Sequence, residues 1–200
     1  MADPREQSVL DYFRRSRETL ERAAGDRDLM AAVLAVTDQI ARTLRDGGKV
    51  MLAGNGGSAA DAQHIAAELV GRYVIDRAPL AAIALTTDTS ALTAIGNDYS
   101  FDQIFERQLR GLGRRGDVFV AISTSGRSKN ILAALKAARE LGITTIGFTG
   151  TKGTQMRPLC DLALIAPSDE TALIQQIHIT AAHAICGLVE RDLYGAPRPN

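Results

Sequence analysis

Cysteine and aromatic residues are scarce in this sequence. Its 200 residues include two cysteines and no tryptophan, and aromatic residues make up 4%. Cys160 and Cys186 are too far apart to form a Cys-x-x-Cys metal pair, and two thiols do not make a disulfide framework. Each lies in an apolar stretch, so we expect buried, reduced thiols. So few aromatic rings also leave no visible stacking platform for single-stranded nucleic acid or sugars.

A surplus of charge of either sign is also missing. Lysine plus arginine and aspartate plus glutamate both number 23, so the formal net charge is zero. A nucleic-acid-binding protein is expected to carry a basic surplus, so we expect no nucleic-acid partner. The first residues lack the apolar core of a signal peptide, and no run approaches the roughly 20 apolar residues of a membrane span. We therefore expect a cytoplasmic protein without a membrane partner.

The order of apolar segments predicts a three-layer α/β/α domain preceded by a helix pair. Residues 5–46 show the apolar spacing of two helices, and Gly47-Gly48 ends the second. We expect residues 1–48 to pack at an oligomer interface and residues 49–200 to form one structural unit. In that unit, uniformly apolar segments alternate with helices, which is typical of a parallel sheet covered on both faces. The five predicted strands are 49–53, 80–85, 117–122, 143–148 and 162–166, and the helices are 58–73, 88–96, 101–112, 128–141 and 169–194.

The first predicted strand runs into a glycine-rich turn, Gly54-Asn55-Gly56-Gly57-Ser58. Because ligands of open parallel sheets bind at the carboxyl ends of the strands, this turn is a candidate binding loop. Its glycines let the backbone approach a ligand. The pair Ser58 and Asp61 predicts a helix N-cap at Ser58, followed by the free amides of the first helical turn. The alternative is a tight strand-to-helix turn without a ligand. The spacing matches neither the dinucleotide nor the Walker A fingerprint.

The third predicted strand runs into Ser123-Thr124-Ser125-Gly126-Arg127-Ser128. Four hydroxyls at a strand end and a helix start can donate to the oxygens of a phosphate without a metal. The alternative is ordinary capping chemistry, for which one hydroxyl would suffice. Together the two loops predict a cradle for a sugar phosphate. A dinucleotide fits worse, since no acidic residue ends the second strand.

The sequence has only three histidines, and two of them fall on helices that begin near the predicted cradle. His64 and Glu68 are four residues apart on one helix face, where they can share a metal or form a charge pair. His183 lies on the last helix, and His178 lies about 140° away from it around that helix, which makes His178 a poorer candidate. Gln175 precedes His183 by about 12 Å along a straight helix. Either that helix is irregular, or the two residues face sites shared with another subunit, or only one is a ligand.

Several of these stretches together resemble the phosphoheptose isomerases of the SIS sugar-isomerase family. The resemblance covers nearly the whole chain, and the set that includes Glu68 and His183 is more specific than a Ser-Thr-Ser-Gly loop alone. The matching stretches are residues 54–64, Glu68, 85–90, 92–99, 123–126, Ile174-Gln175 and His183.

The resemblance implies a flavodoxin-like SIS fold and an aldose–ketose isomerase that binds Zn²⁺. Sedoheptulose 7-phosphate would become D-glycero-D-manno-heptose 7-phosphate through an enediol(ate), on the way to the ADP-heptose of lipopolysaccharide. Homotetramers with active sites between subunits are implied as well. The implied metal ligands are His64, Glu68, Gln175 and His183, of which Glu68 and His183 are also catalytic. The implied substrate contacts are Asn55, Gly56, Gly57, Ser58, His64, Glu68, Asn97, Asp98, Ser123, Thr124, Ser125, Ser128 and Gln175.

Three other functions are compatible with parts of this pattern. Similar proteins that bind the bacterial replication initiator as non-catalytic tetramers lack the catalytic pair, whereas this chain has both Glu68 and His183. An isomerase acting on another phosphosugar would share both loops, and its choice of substrate could depend on residues such as Arg72, Asp76 and Arg127. A regulatory SIS module is usually attached to a DNA-binding domain, which we do not expect here, since the net charge is zero.

Overall fold

A five-stranded, fully parallel sheet forms the centre of the molecule in a computed structural model, which describes residues 3–195. The strand order is β2-β1-β3-β4-β5. Helices cover both faces, as the apolar strands predicted. Residues 1–2 and 196–200, which belong to the two predicted segments 1–48 and 49–200, lie outside the described residues. The strands are β1 Val50–Ala53, β2 Ala82–Ala84, β3 Val118–Ile122, β4 Thr144–Gly150 and β5 Leu162–Ala166.

Seven α-helices surround this sheet in the described part of the chain. Asp26 separates the first two helices, because its carboxylate accepts from the amides of Asp28 and Leu29 and so caps the second. Short 3₁₀ turns occupy Phe101–Gln103 and Arg157–Leu159. The helices are α1 Pro4–Gly25, α2 Arg27–Arg45, α3 Gly57–Val70, α4 Thr89–Asp98, α5 Ile104–Leu112, α6 Lys129–Glu140 and α7 Thr171–Tyr194.

Two hydrophobic cores lie on the two faces of the sheet. Alternate residues of a strand point to opposite faces, so Val50 and Leu52 join one core while Met51 and Ala53 join the other. The first core contains residues of α2, α3 and α7, and the second contains residues of α5 and α6. Burying each large aliphatic side chain stabilises the fold by about 1.5–3 kcal/mol. The helices that carry the candidate site are therefore fixed by the first core.

The sheet places the two predicted loops side by side. β1 and β3 are neighbours, with Val50 opposite Val118 and Ala53 opposite Ala121. Chain order reverses between them, since β2 lies on one side of β1 and β3 on the other. This arrangement is the switch point at which open parallel sheets bind ligands.

Two predictions about the helices need correction. The third helix ends at Val70 and not at Tyr73, so Tyr73 lies in an irregular segment. The last helix is also long and apolar enough to cross a membrane by length and composition alone, contrary to the expectation that no segment is. Half of its most apolar window is nevertheless buried inside the protein, as in a core helix.

The cysteines agree only in part with the prediction of buried thiols. Cys186 is buried in the first core, whereas Cys160 is half-buried. Burial raises the pKa of each thiol to about 12, and nearby carboxylates add to the shift. Both side chains are therefore protonated thiols at neutral pH.

Candidate functional site

The glycine loop after β1 leads directly into α3. Gly56 has a φ of 57°, a left-handed conformation that glycine adopts without strain, and it is the N-cap of the helix. The predicted cap at Ser58 is wrong, because the helix already begins at Gly57 and leaves Ser58 buried in its first turn. No side chain among residues 3–195 caps this helix start. The amides of the first turn are consequently free of a protein carboxylate or hydroxyl cap.

The serine loop after β3 is a compact turn. Gly126 has a φ of 61°, and its amide donates to the carbonyl of Ser123 at 3.1 Å. The hydroxyls of Ser123 and Ser128 lie 3.1 Å apart, and the Arg127 amide donates to Ser125 Oγ at 3.3 Å. The turn thus gathers several hydroxyls at the start of α6, which is the arrangement that an anion requires.

A pair of asparagines joins the two loops. Asn55 Nδ2 donates to Asn130 Oδ1 at 2.9 Å, and Asn130 Nδ2 donates back to Asn55 Oδ1 at 2.9 Å. Asn130 is 2% exposed and also accepts from the amide of Ile131. Sequence reasoning missed Asn130, although a polar residue on the apolar face of the sixth helix was a usable signal. The double hydrogen bond fixes the glycine loop against the start of α6.

His64, Glu68 and His183 form a single cluster within one chain. One nitrogen or oxygen atom of each lies within 4.8 Å of the others. His64 Nε2 is 2.9 Å from His183 Nε2 and 3.1 Å from Glu68 Oε1. The helical spacing puts His64 and Glu68 on one face of α3, and packing of α3 against α7 supplies His183. The predicted meeting of carboxylate and imidazole thus occurs without a second subunit.

These three residues fit a zinc ion. Two histidines and a glutamate are a ligand set of catalytic zinc sites, which keep a fourth position open. Bonds of about 2.1 Å in a tetrahedral site place ligand atoms about 3.4 Å apart. His64 Nε2 lies 2.9 Å from His183 Nε2 and 3.1 Å from Glu68 Oε1, and both distances are close to that spacing. Oxygen and nitrogen donors from two helices could therefore hold the ion with small side-chain movements.

Gln175 and His178 lie apart from this cluster. α7 is continuous from Thr171 to Tyr194, so eight residues separate Gln175 from His183 by about 12 Å along the helix. The Gln175 amide lies directly against Gly57, where an added side-chain carbon would overlap it. His178, the poorer candidate, is fully buried, and burial lowers its pKa to about 4, so it is a neutral core residue. Within this chain Gln175 of α7 packs against the glycine loop, and its role as a metal ligand stays a prediction.

The two residues predicted to contact the sugar hydroxyls, Asn97 and Asp98, lie at the end of α4. Asn97 and Asp98 are exposed, and Asn97 Nδ2 donates to Asp98 Oδ1 at 2.8 Å. α4 packs against α5 and the 3₁₀ turn Phe101–Gln103, on the side of the sheet that holds the second core. Their part in substrate binding stays a prediction.

The chain is similar to proteins of one known family. Residues 11–150 match the SIS domain family. A phosphoheptose isomerase of Bradyrhizobium sp. (strain ORS 278) is 58% identical over 193 residues, which cover 96% of this chain and 98% of the relative. The structure of phosphoheptose isomerase from Neisseria gonorrhoeae is 44% identical with a TM-score of 0.87, covering 92% of this chain and 98% of that one. The Francisella tularensis phosphoheptose isomerase structure is 35% identical with a TM-score of 0.90, covering 94% and 100%.

Fold, site and comparisons together define the class of the protein as a sugar-phosphate isomerase. The switch-point loops are of the kind that holds a phosphosugar, and the cluster supplies acid and base groups. The chain belongs to the SIS domain family, within its phosphoheptose isomerase group.

Proposed function

We propose that the protein converts sedoheptulose 7-phosphate to D-glycero-D-manno-heptose 7-phosphate, the first step toward ADP-heptose of the lipopolysaccharide core. The observation that carries this proposal is the meeting of Glu68 and His183 in one cluster. Glu68 lies on α3, which begins at the glycine loop. Relatives named phosphoheptose isomerase at 55–59% identity support the same substrate class.

The two loops divide the binding of the substrate between them. Hydroxyls of the serine loop and the first amides of α6 bind the phosphate, since both donate to its oxygens. The backbone of the glycine loop and the side chain of Asn55 contact the sugar, while Asn97 and Asp98 meet its hydroxyls. Asn130 keeps Asn55 in place through their double hydrogen bond. The proposed phosphate and sugar ends are therefore held at a fixed separation.

The reaction moves a proton between C1 and C2 through an enediol(ate). Glu68 accepts the carbon-bound proton, for which a partly buried carboxylate is suited, and its side chain is 20% exposed. His183 handles the protons of the two oxygens, because an imidazole can donate and accept near neutral pH. The contact between the two imidazoles gives that proton a second site on His64.

A zinc ion held by His64, Glu68 and His183 would polarise the carbonyl oxygen and stabilise negative charge on the enediolate. A carboxylate bound tightly to a metal is a weaker base, so the ligand and base roles of Glu68 compete. Activity measured with added zinc and after chelation separates these roles. Higher activity with zinc supports the ligand role, and full activity without metal supports the base role alone.

The assembly that we propose is a cytoplasmic homotetramer with its helix pair at the interface. Several large apolar side chains of α1 and α2 are exposed, which is unusual for a monomer and typical of an interface. Phe13 is the most exposed of them at 69%. The pocket between α1, α2 and α7 is lined mostly by apolar residues and would accept side chains of another copy. The exposed residues are Val9, Leu10, Phe13, Leu20, Met30 and Leu34.

The experiment that tests the activity is incubation of the purified protein with sedoheptulose 7-phosphate. We expect NMR to show the aldose heptose 7-phosphate at a rate proportional to protein concentration. A parallel set of aldose and ketose phosphates of five and six carbons distinguishes an isomerase of another phosphosugar. Conversion of one of those in place of the heptulose would overturn the proposed substrate. Absence of any conversion, together with capture of a replication initiator, would support the non-catalytic alternative.

A further inference from the structure

The imidazole of His183 has a second aromatic neighbour besides His64. The ring of Tyr73 stacks on it, with centroids 5.6 Å apart and planes 19° from parallel. His64 meets the same imidazole edge-on, with centroids 5.1 Å apart and planes at 72°. Tyr73 therefore covers one face of the imidazole while Nε2 contacts His64. A ring packed on its face resists rotation of the imidazole out of the cluster.

A buried carboxylate holds the backbone of Tyr73 in position. Glu190 accepts hydrogen bonds from the amides of Tyr73, Val74 and Ile75 at 2.7, 2.8 and 2.9 Å. Three charge-assisted bonds to consecutive amides fix the local backbone firmly. Glu190 lies seven residues after His183 on α7, so both point from the same side of that helix. The stacking ring is thus anchored to the helix that carries its imidazole partner.

Arg77 extends this anchor to the other helix of the cluster. It pairs with Glu190 at 3.0 Å, and both side chains are 1% exposed. The same guanidinium donates to the carbonyls of Glu68 and Leu69 at 2.9 and 2.7 Å, at the end of α3. A buried ion pair is weak evidence for stability, because desolvation offsets much of its attraction. Its position between the ends of α3 and α7 suggests a positioning role.

The space for the Tyr73 ring depends on a glycine in α7. Gly187 lies one turn after His183, and a Cβ added there would lie 3.2 Å from Tyr73 Cε1 and 3.5 Å from Cδ1. The first distance is shorter than ordinary contact, so an alanine would displace the ring by a few tenths of an ångström.

We propose that Tyr73 is a positioning residue that fixes the His183 imidazole for proton transfer, and that the Arg77–Glu190 pair acts through it. This inference rests on the proposed function only for its kinetic consequence. The contact between the rings of Tyr73 and His183 lies within one chain and needs no substrate. A displacement of about 1 Å in a reacting group can lower turnover about 100-fold, so loss of the ring should lower kcat. KM should change less, because the serine loop is untouched.

The first test compares Tyr73→Leu with Tyr73→Phe. The protein is labelled with ¹³C-histidine, and the His183 ring resonances are assigned by their loss in His183→Gln. Ring-current shielding should place the His183 protons upfield in the native protein and in Tyr73→Phe, but not in Tyr73→Leu. We expect kcat to fall 10- to 100-fold in Tyr73→Leu and to stay within about threefold in Tyr73→Phe.

The second test uses Gly187→Ala with Gly111→Ala as its matched control. Both glycines lie inside helices, where alanine is favoured, so neither change should weaken its own helix, and the variants differ in the contact with Tyr73. A Cβ at Gly111 has no neighbour within 4 Å. We expect Gly187→Ala to shift the His183 resonances and to lower kcat, and Gly111→Ala to do neither.

The outcomes separate this inference from the proposed function. If the native protein fails to isomerise the heptulose phosphate, the proposed function fails, and the NMR comparison still decides the contact. An unchanged His183 resonance in Tyr73→Leu overturns the inference, as does a changed resonance with unchanged kcat in an active enzyme. Equal loss of kcat in Tyr73→Phe would show that the hydroxyl, and not the stacked ring, is required.

Discussion

Lowering the pH should destabilise the protein through one buried histidine. His178 is fully buried, its Nε2 lies 3.2 Å from the Thr149 carbonyl, and its ring packs against Phe148. Burial lowers its pKa from 6.5 to about 4, while the hydrogen bond to Thr149 opposes the shift. The unfolded chain therefore binds a proton at a higher pH than the folded chain does. The stability that neutral His178 contributes is present above pH 6.5 and is lost as the pH falls from 6.5 toward 4.

The size of the effect follows from the two pKa values. The difference between 6.5 and about 4 corresponds to about 3 kcal/mol in total, of which about 2 kcal/mol is lost by pH 5. The assay is urea unfolding at pH 7.5 and pH 5 with a chelator present and a fixed protein concentration. The control is His178→Gln, whose amide can reach the Thr149 carbonyl but does not titrate. An equal loss of stability in both proteins would refute the reasoning.

Three further predictions concern the phosphate loop, the buried ion pair and the interface. Ser125→Ala should raise KM about tenfold with little change in kcat, because one hydrogen bond to a charged group is lost; an unchanged KM in steady-state kinetics contradicts the phosphate cradle. Glu190→Gln should lower the free energy of unfolding by about 3–5 kcal/mol in urea, since the buried charge of Arg77 loses its carboxylate partner. A loss below about 1 kcal/mol would show that the backbone carbonyls compensate the Arg77 charge without the carboxylate. Phe13→Asp should reduce the mass measured by light scattering, and an unchanged mass would exclude Phe13 from the interface.

The strands were predictable because a buried strand consists of consecutive apolar residues, which the local sequence shows directly. Every residue of β1 and β3 is buried, so an uninterrupted apolar run identified each. Their ends depended on pairing that the sequence does not display. β4 continues to Gly150 because Thr149 and Gly150 still pair with Ile165 and Ala166 of β5. β2 is shorter than predicted, and it pairs with β1 alone.

The site residues that lie close together in sequence were predictable, whereas those positioned by a residue far away in sequence were not. The spacing of His64 and Glu68 placed both on one helix face, and the hydroxyl run marked the serine loop. The expectation of a helix up to Tyr73 overlooks Gly71, which is the C-cap of α3 and a local stop signal. Glu190, 117 residues away, accepts the hydrogen bond of the Tyr73 amide and so holds Tyr73 in its position outside α3, a contact that local sequence does not reveal.

The central claim is that Glu68 removes a carbon-bound proton while His183 lies beside it. The most direct test runs the isomerisation in D₂O and follows deuterium at C2 of the aldose by NMR, for the native protein and Glu68→Gln. We predict labelled aldose from the native protein and a loss of at least about 100-fold in the variant, which keeps the native fold by circular dichroism. Labelled aldose from Glu68→Gln at close to the native rate would contradict this account.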